Sequence, residues 1–443
     1  MSSQTVFTKL RKIAYQASEY PDRVFTTLAH LIDIEFLKEA YRRTKKSSAP
    51  GVDGVTAKEY AEHLDDNLRD LHQRLRSGRY KAPPVERVWL EKPDGGKRPI
   101  GKPTFEDKIV QRAVAMLLEQ IYEREFHDFS YGFRRGRSPH DALQELREQC
   151  YQTNTTWIID ADVSGFFDAI DHQHLRDFIR RRMNDGSIMR LIGKWLHAGV
   201  LDEGIHLHPE SGTPQGGVIS PIAANVFLHY VLDDWFIQEV QPRMQGRVFI
   251  IRFADDFIIG CEREEDARRI MAVLPKRFAS YGLTIHPQKS KLIAFARPVV
   301  RRTAKPDSQD RQSPSRGNGT FDFLGFTHYW ARSRRGSWVL KRRTARKRVR
   351  RTAIALWQWC RRNRHRPLPE QHTRLKQKLL GHYNYFGLRS NYPQLAAIQR
   401  IAERAWFYWL NKRRRHRDYS WDAYRRLLET FPLPRPRIIH TNI

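Results

Sequence analysis

Residues 247–262, RVFIIRFADDFIIGCE, place two adjacent aspartates inside an otherwise apolar run. Val248 to Phe253 and Phe257 to Ile259 are rich in β-branched and aromatic side chains, which predicts two short strands. Asp255 and Asp256 fall where the chain must turn back between them. One Asp at a hairpin tip is ordinary turn chemistry, because its carboxylate accepts hydrogen bonds from nearby backbone N–H groups. Two carboxylates side by side between strands this apolar repel each other. Either the pair is a plain acidic turn, or a divalent cation holds it together. The second case requires a third ligand elsewhere and a reason to bind metal.

The charge balance supplies a reason. Lys and Arg number 79 against 49 Asp and Glu, a formal net charge of +30 over 443 residues. An excess of that size points to a polyanionic partner, of which nucleic acid is the commonest. With 40% hydrophobic and 12% aromatic residues, the chain is not a disordered basic tail. Its length allows roughly two to four domains of ~100–200 residues. No run approaches the ~20 apolar residues of a membrane-spanning helix, and MSSQTVFTKLRKIAYQASEYPDRVF contains no apolar stretch of the signal-peptide kind. Cys150, Cys261 and Cys360 stand far apart, which excludes a sequence-local zinc knuckle and argues against a disulfide framework. The expectation is a soluble, intracellular protein that faces nucleic acid and not a membrane.

Residues 1 to about 80 read as helical, interrupted by a loop at KKSSAPGVDGVT, Lys45 to Thr56. In RVWLEKPDGGKRPIGKP, Asp94-Gly95-Gly96 is a hairpin signal between two short strands. Helical periodicity runs from Phe105 to about Phe126. Strand-like TTWIIDADV, helical HQHLRDFIRRRM and helical SPIAANVFLHYVLDDWF then alternate up to the opening hairpin, with Ser220 read as the N-cap and Pro221 as the first helical residue of the last. Such alternation predicts an α/β or α+β domain over about 85–300. Between Arg297 and Gly319 the composition is that of a loop or linker. Beyond FDFLGFTHYW the chain is expected to be helical and basic. Fifteen Lys and Arg and no acid lie between Arg332 and Arg366, with Trp338, Trp357 and Trp359 among them and Trp330 just before. Basic residues interleaved with Trp suit a nucleic-acid surface better than a merely solvated helix face.

TTWIIDADVSGFFDAID offers the missing ligand. Asp160 and Asp162 come at the end of an apolar strand and share one face by its two-residue period. Asp168 and Asp171 suit an acidic loop and a helix N-cap. A strand-end Asp beside a hairpin carrying two more is the minimum for binding two Mg²⁺, hard cations that prefer carboxylate oxygens. Two such ions stabilise the attacking and the leaving oxygen of an in-line phosphoryl displacement, the chemistry of polymerases and nucleases. In GTPQGGVISP (Gly212 to Pro221) three glycines permit close approach by a ligand, and Gln215 offers an amide there. Lys92 and Arg98 flank the Asp-Gly-Gly turn and present two cations able to neutralise a triphosphate.

Together these segments resemble the reverse transcriptases encoded by bacterial group II introns, also called intron maturases. The resemblance spans nearly the whole chain in the family's order: APGVDGVT, KPDGGKRPIGKPTFEDKIVQRAV, FSYGFRRGRSPHDAL, DADVSGFFDAIDH, GTPQGGVISPIAANVFLHYVLD, RFADDF, LTIHPQKSKL, FDFLGF and GHYNYFGLRSN. It implies a right-hand polymerase, with fingers and palm in α/β (α+β) followed by an all-α thumb or maturase domain. The implied ranges are 1–84 for an N-terminal extension and the start of the fingers, 85–300 for fingers and palm, 301–340 for a linker and primer-grip segment, and 341–443 for the basic thumb.

By the same resemblance, Asp162, Asp255 and Asp256 are the catalytic, Mg²⁺-binding triad, with Asp160 second choice to Asp162. Phe167 stands where the family places the aromatic that blocks a ribose 2′-OH. Lys92, Arg98 and Gln215 fall at dNTP-contacting positions, and KSSAPGVDG looks like a loop that covers the template. Phe253 replaces the family's usual Tyr near the primer terminus, which implies altered efficiency or fidelity with activity kept. No Cys/His-rich segment of the kind that forms the family's HNH-type endonuclease follows FPLPRPRIIHTNI, so second-strand cleavage is not expected. The implied partners are group II intron RNA, a DNA target or primer and dNTPs, in a ribonucleoprotein of the bacterial cytoplasm. Two other readings stay open: a host-domesticated reverse transcriptase in defence or repair, and a non-catalytic RNA splicing chaperone.

Overall fold

Capping chemistry starts the second and third helices where the sequence places Asp33 and Thr56. In the computed structural model, α1 (Ser2–Glu19), α2 (Ile34–Arg43), α3 (Ala57–Glu62) and α4 (Leu64–Arg76) open the chain. The Asp33 carboxylate accepts the Phe36 N–H at 2.9 Å, and Thr56 with Glu59 forms a reciprocal capping box on α3. The loop expected at 45–56 lies between α2 and α3, where the Lys108 ammonium donates to the Ala49 carbonyl at 2.6 Å. The structure describes residues 2–91, 96–202, 205–207, 212, 216–298, 319–413 and 420–441. Lys92, Gln215, the Asp94-Gly95 turn and most of the segment 297–319 lie outside those residues.

Strands β1 (Val85–Glu91) and β2 (Lys97–Lys102) pair antiparallel from Glu86↔Lys102 to Glu91↔Lys97. Helix α5 (Phe105–Tyr122) follows and is almost wholly buried, then α6 (Pro139–Gln152). Next come β3 (Trp157–Ala161), β4 (Val163–Ser164), α7 (Phe166–Ala169), α8 (His172–Arg180), α9 (Gly186–His197), β5 (Val200–Asp202), β6 (Ile205–Leu207) and α10 (Ser220–Leu228). Asp171 caps α8 as expected, its carboxylate accepting the His174 N–H at 2.7 Å. Ser220 does not cap α10. Ile219 is the N-cap, and the Gln111 side-chain oxygen accepts the Val218 N–H at 2.7 Å from outside the helix. The helix continues past α10 through two π turns, His229–Asp233 and Phe236–Val240. The opening hairpin is β7 (Val248–Phe253) and β8 (Asp256–Cys261), followed by α11 (Glu264–Ala279), β9 (Thr284–Ile285) and β10 (Lys291–Ala294).

The strands form sheets in the orders β2-β1-β5-β6 and β10-β3-β8-β7, with β4 paired to β9. Farther along the chain, β11 (Phe321–Phe323), β12 (Phe326–Arg332) and β13 (Trp338–Thr344) form an antiparallel sheet. The sequence predicts helix over much of β13. Its burial alternates instead, with Leu340, Arg342 and Thr344 inward, so the two-residue period of a strand is present but carried partly by polar side chains. The buried Arg342 guanidinium donates to the Leu143 carbonyl at 3.0 Å. Helices α12 (Arg346–Asn363), α13 (Leu368–Phe386), α14 (Tyr392–Leu410) and α15 (Trp421–Thr430) then bury Leu356, Leu379, Tyr383, Ile398 and Trp406 in a common core. The architecture is the expected α/β arrangement followed by a helical C-terminal region.

The chain divides into two compact units: residues 1–142, 161–259 and 263–291, and residues 143–160, 260–262 and 292–443. No helix among the described residues is long and apolar enough to cross a membrane.

Candidate active site

Strand pairing brings the predicted carboxylates together. The Thr156 N–H donates to the Cys261 carbonyl at 3.0 Å, so the start of β3 lies beside the end of β8 and the two run antiparallel. Six residues on from Thr156 is Asp162, and six back from Cys261 is Asp255. Ala254 and Asp255 form the turn, and Asp256 is the first residue of β8. Asp160 sits one turn of the pleat earlier, within β3 and half-buried.

The backbone of Asp162 is fixed by the segment that follows α11. The His286 N–H donates to its carbonyl at 2.7 Å, and its own N–H donates to Ser290 Oγ at 3.2 Å. The Lys289 ammonium stands 3.4 Å from Asp162 Oδ2, with both side chains well exposed. Burial pushes the Asp255 carboxyl above the ordinary carboxylate range; the Asp162 charge adds to the push, and the Asp255 backbone N–H, Arg98 and Arg252 oppose it. Asp162, Asp255 and Arg98 are therefore electrostatic neighbours. The carboxylates do not converge as a closed cluster, since among the described residues no trio including them brings its ligand atoms within 4.8 Å. Like charges repel, and Asp162 is paired instead with Lys289. The donor set is nonetheless hard oxygen, partly buried and destabilised by its own charge, which fits a divalent cation such as Mg²⁺.

The turn itself rests on residues that motif reading passes over. Ala254 has φ +58°, a costly conformation for a residue with a side chain. The Arg252 guanidinium, fully buried, donates to the Ala254 carbonyl at 3.1 Å, to Asn225 Oδ1 at 3.0 Å and to Asp233 Oδ1 at 2.7 Å. Asn225 in turn donates to the Gly132 carbonyl at 2.7 Å. A Cβ on Gly132 would stand 2.2 Å from the Ala254 nitrogen, so only glycine lets this segment lie against the turn. The signal for Arg252 was in the sequence: a charged residue in the middle of VFIIRF is costly to bury without a partner.

Phe167 lies on α7, 8% exposed, with its ring edge-on to Phe166 at 5.3 Å. Phe253 closes β7 and is half-buried. Arg98 is exposed on β2 opposite Leu90. A Cβ on Gly212, the first residue of the sequence GTPQGG, would meet the Asp168 carbonyl at 2.8 Å. The glycine expected to admit a ligand here admits the chain's own backbone, pinned further by the Gly212 N–H to the Ile170 carbonyl at 2.8 Å.

A family model described as reverse transcriptase (RNA-dependent DNA polymerase) matches residues 90–328. The chain is 40% identical over 226 residues to Protein YkfC of Escherichia coli K12, covering 49% of this chain and 59% of that protein. It is 37% identical over 304 residues to the group II intron-encoded protein LtrA of Lactococcus lactis subsp. cremoris, covering 65% and 50%. A putative COX1/OXI3 intron 1 protein of Saccharomyces cerevisiae is 32% identical over 315 residues, covering 59% and 37%. The chain thus spans between 37% and 59% of the length of these curated relatives.

Proposed function

Because the chain belongs to the reverse transcriptase family and within it resembles group II intron-encoded proteins, we propose that it is an RNA-directed DNA polymerase that also binds intron RNA and assists its splicing and mobility. The observation that carries the reading is the pairing of β3 with β8, which sets Asp162 beside the Asp255–Asp256 turn. In the reaction a primer 3′-OH attacks the α-phosphorus of a dNTP; the new O–P bond forms as the bond to pyrophosphate breaks, and the hydroxyl proton is lost. Asp162, Asp255 and Asp256 would hold the divalent cations, which supply charge neutralisation to the phosphoryl transfer.

The protein's own residues position and shield. Arg98 adds positive charge beside Asp255, where a triphosphate would lie, and Lys92 and Gln215 are proposed to complete that contact. Phe167 offers a flat apolar wall that would leave no room for a 2′-OH. Phe253 ends β7 without a hydroxyl to offer the primer. The segment Phe321–Phe326 forms a tight hairpin whose turn has Leu324 at φ +50° and Gly325 at φ +82°, and we assign it to steadying the primer end.

The RNA grip is assigned to the helical C-terminal region, as its thumb. Arg346, Lys347 and Arg350 are exposed along α12. Farther along, Trp357 and Tyr408 lie 5.1 Å apart and both are exposed, while Arg361 and Arg364 sit over the Trp409 ring. Aromatic faces flanked by guanidinium groups suit stacked bases and phosphates. The test is primer extension on an RNA template with dNTPs and Mg²⁺, by the full chain and by Asp255→Asn. Extension by the parent and none by the variant is expected. A parent that binds and splices intron RNA yet extends nothing would replace this reading with that of a splicing chaperone.

A further inference from the structure

Behind the aspartate turn, the segments FHDFSYGF and LHYVLDDWF meet. We propose that His127, His229 and Asp234 form a site for a divalent transition-metal ion of the zinc type, distinct from the carboxylates of the polymerase centre. His127 Nε2 lies 2.8 Å from Asp234 Oδ1, and His229 Nε2 lies 3.5 Å from Asp234 Oδ2. One ligand atom from each residue lies within 4.8 Å of the other two, a grouping found at no other His, Cys, Asp or Glu trio among the described residues. Ligands bonded at ~2.0–2.1 Å to a tetrahedral ion stand about 3.3 Å apart. The two observed separations bracket that value and all the ligand atoms lie within 4.8 Å of one another, so side-chain shifts on the order of an ångström would admit an ion.

The backbone is built to make this meeting happen. Residues five apart on an α-helix point about 140° away from each other. Here His229–Asp233 is a π turn, and the Asp234 N–H donates to the His229 carbonyl. The wider turn swings Asp234 back toward His229. Such insertions are rare and concentrate at functional sites. The rings are also held in place: His127 stacks on Phe129 at 5.1 Å, and Phe126 meets His229 edge-on at 5.6 Å.

His229 supplies a second, independent observation. It is 2% exposed and its Nδ1 has no hydrogen-bond partner. Burial keeps its Nε2 out of water and facing Asp234 Oδ2 at 3.5 Å, a spacing that a shared cation fits better than a direct hydrogen bond does. The side chains of His127 and Asp234 are 30% and 24% exposed, which leaves an entry path and room for water as a fourth ligand. Two imidazoles and one carboxylate select zinc-like ions over Mg²⁺, which prefers oxygen. The site would be structural: next to Asp234, Asp233 holds Arg252, and Arg252 holds the Ala254 carbonyl, so an ion would stiffen the base beneath the aspartate turn.

The experiment uses the full chain, freed of nucleic acid and stripped with a chelator. Zn²⁺ is titrated against a chromophoric competitor in excess Mg²⁺, and Co²⁺ is added separately to read coordination by visible absorption. One equivalent per chain is expected, with a four-coordinate Co²⁺ spectrum and a higher melting temperature on Zn²⁺ addition. His127→Gln, Asp234→Asn and His229→Gln should each weaken binding by more than about tenfold, since loss of mere outer partners already costs that much. If His229→Gln does not fold, the two partly exposed positions decide. Unchanged Zn²⁺ stoichiometry and affinity in His127→Gln and Asp234→Asn, each confirmed folded by circular dichroism, would overturn the site. So would a parent chain that binds no Zn²⁺ in the presence of Mg²⁺.

Discussion

Arg252 and Asp233 are both fully buried and paired, and their energetics depend on each other. Removing one partner leaves an uncompensated interior charge, at a cost of about 3–5 kcal/mol. Asp233→Ala should therefore lower the melting temperature sharply, measured by calorimetry. The double change Asp233→Leu with Arg252→Met removes both charges and should recover much of that loss. It also removes the donors to the Ala254 carbonyl and Asn225, so primer extension should stay low. Recovery of activity along with stability would show that the guanidinium only balances charge. Phe167 gives a second test at this scale. If its ring occupies the space of a 2′-OH, Phe167→Ala should raise rNTP relative to dNTP incorporation, and an unchanged ratio would make it simply a core aromatic. The carboxylates were legible because charge in an apolar strand is conspicuous. Their support was not, because the partners of Arg252 lie 19 and 27 residues away in sequence, beyond any local pattern.

Elements were legible where local chemistry decides them. The β7 strand, the α8 cap at Asp171 and the start of α5 follow from periodicity and capping, both properties of a few adjacent residues. Two features fail for one reason: tertiary partners override the local signal. Gln111 holds the backbone N–H groups of Val218 and Ile219 just ahead of α10, which starts without the side-chain cap that Ser220 was read to provide, and Arg342 lies buried in a basic stretch that forms a strand. The β12 and α13 elements carry a pH prediction. His328 on β12 is fully buried, and burial holds its pKa well below the usual histidine range. Burial likewise lowers His382 on α13 to about 4. Folded, both stay neutral; unfolded, both take a proton below about pH 6.5. Stability is thus fully present above that pH and falls as pH drops toward 4, by about 1.4 kcal/mol per pH unit for each histidine. The melting temperature of the unit containing them should fall between pH 7 and 5, and His328→Leu with His382→Leu should flatten the fall. An equal fall in the double variant would assign it to other groups.

At the scale of the whole molecule, the +30 charge and the carboxylate turn act over different ranges. On the proposed function, polymerisation would depend on a few groups within contact distance of the reacting phosphorus. RNA affinity depends on counterion release summed over many basic residues, falling by about 0.7–0.9 log units per log unit of salt for each phosphate neutralised. Replacing Arg346, Lys347 and Arg350 with Gln removes three exposed charges from α12, so the salt slope for structured RNA should flatten. Asp255→Ala leaves that field almost untouched. It should abolish cDNA synthesis yet keep RNA binding and support for splicing at low Mg²⁺. Assayed side by side, the two variants should separate the functions: the first weakened on RNA with its polymerase chemistry retained at low salt, the second the reverse. Loss of splicing support by a folded Asp255→Ala protein would mean that the active site and the RNA grip are coupled, and that charge alone does not divide them.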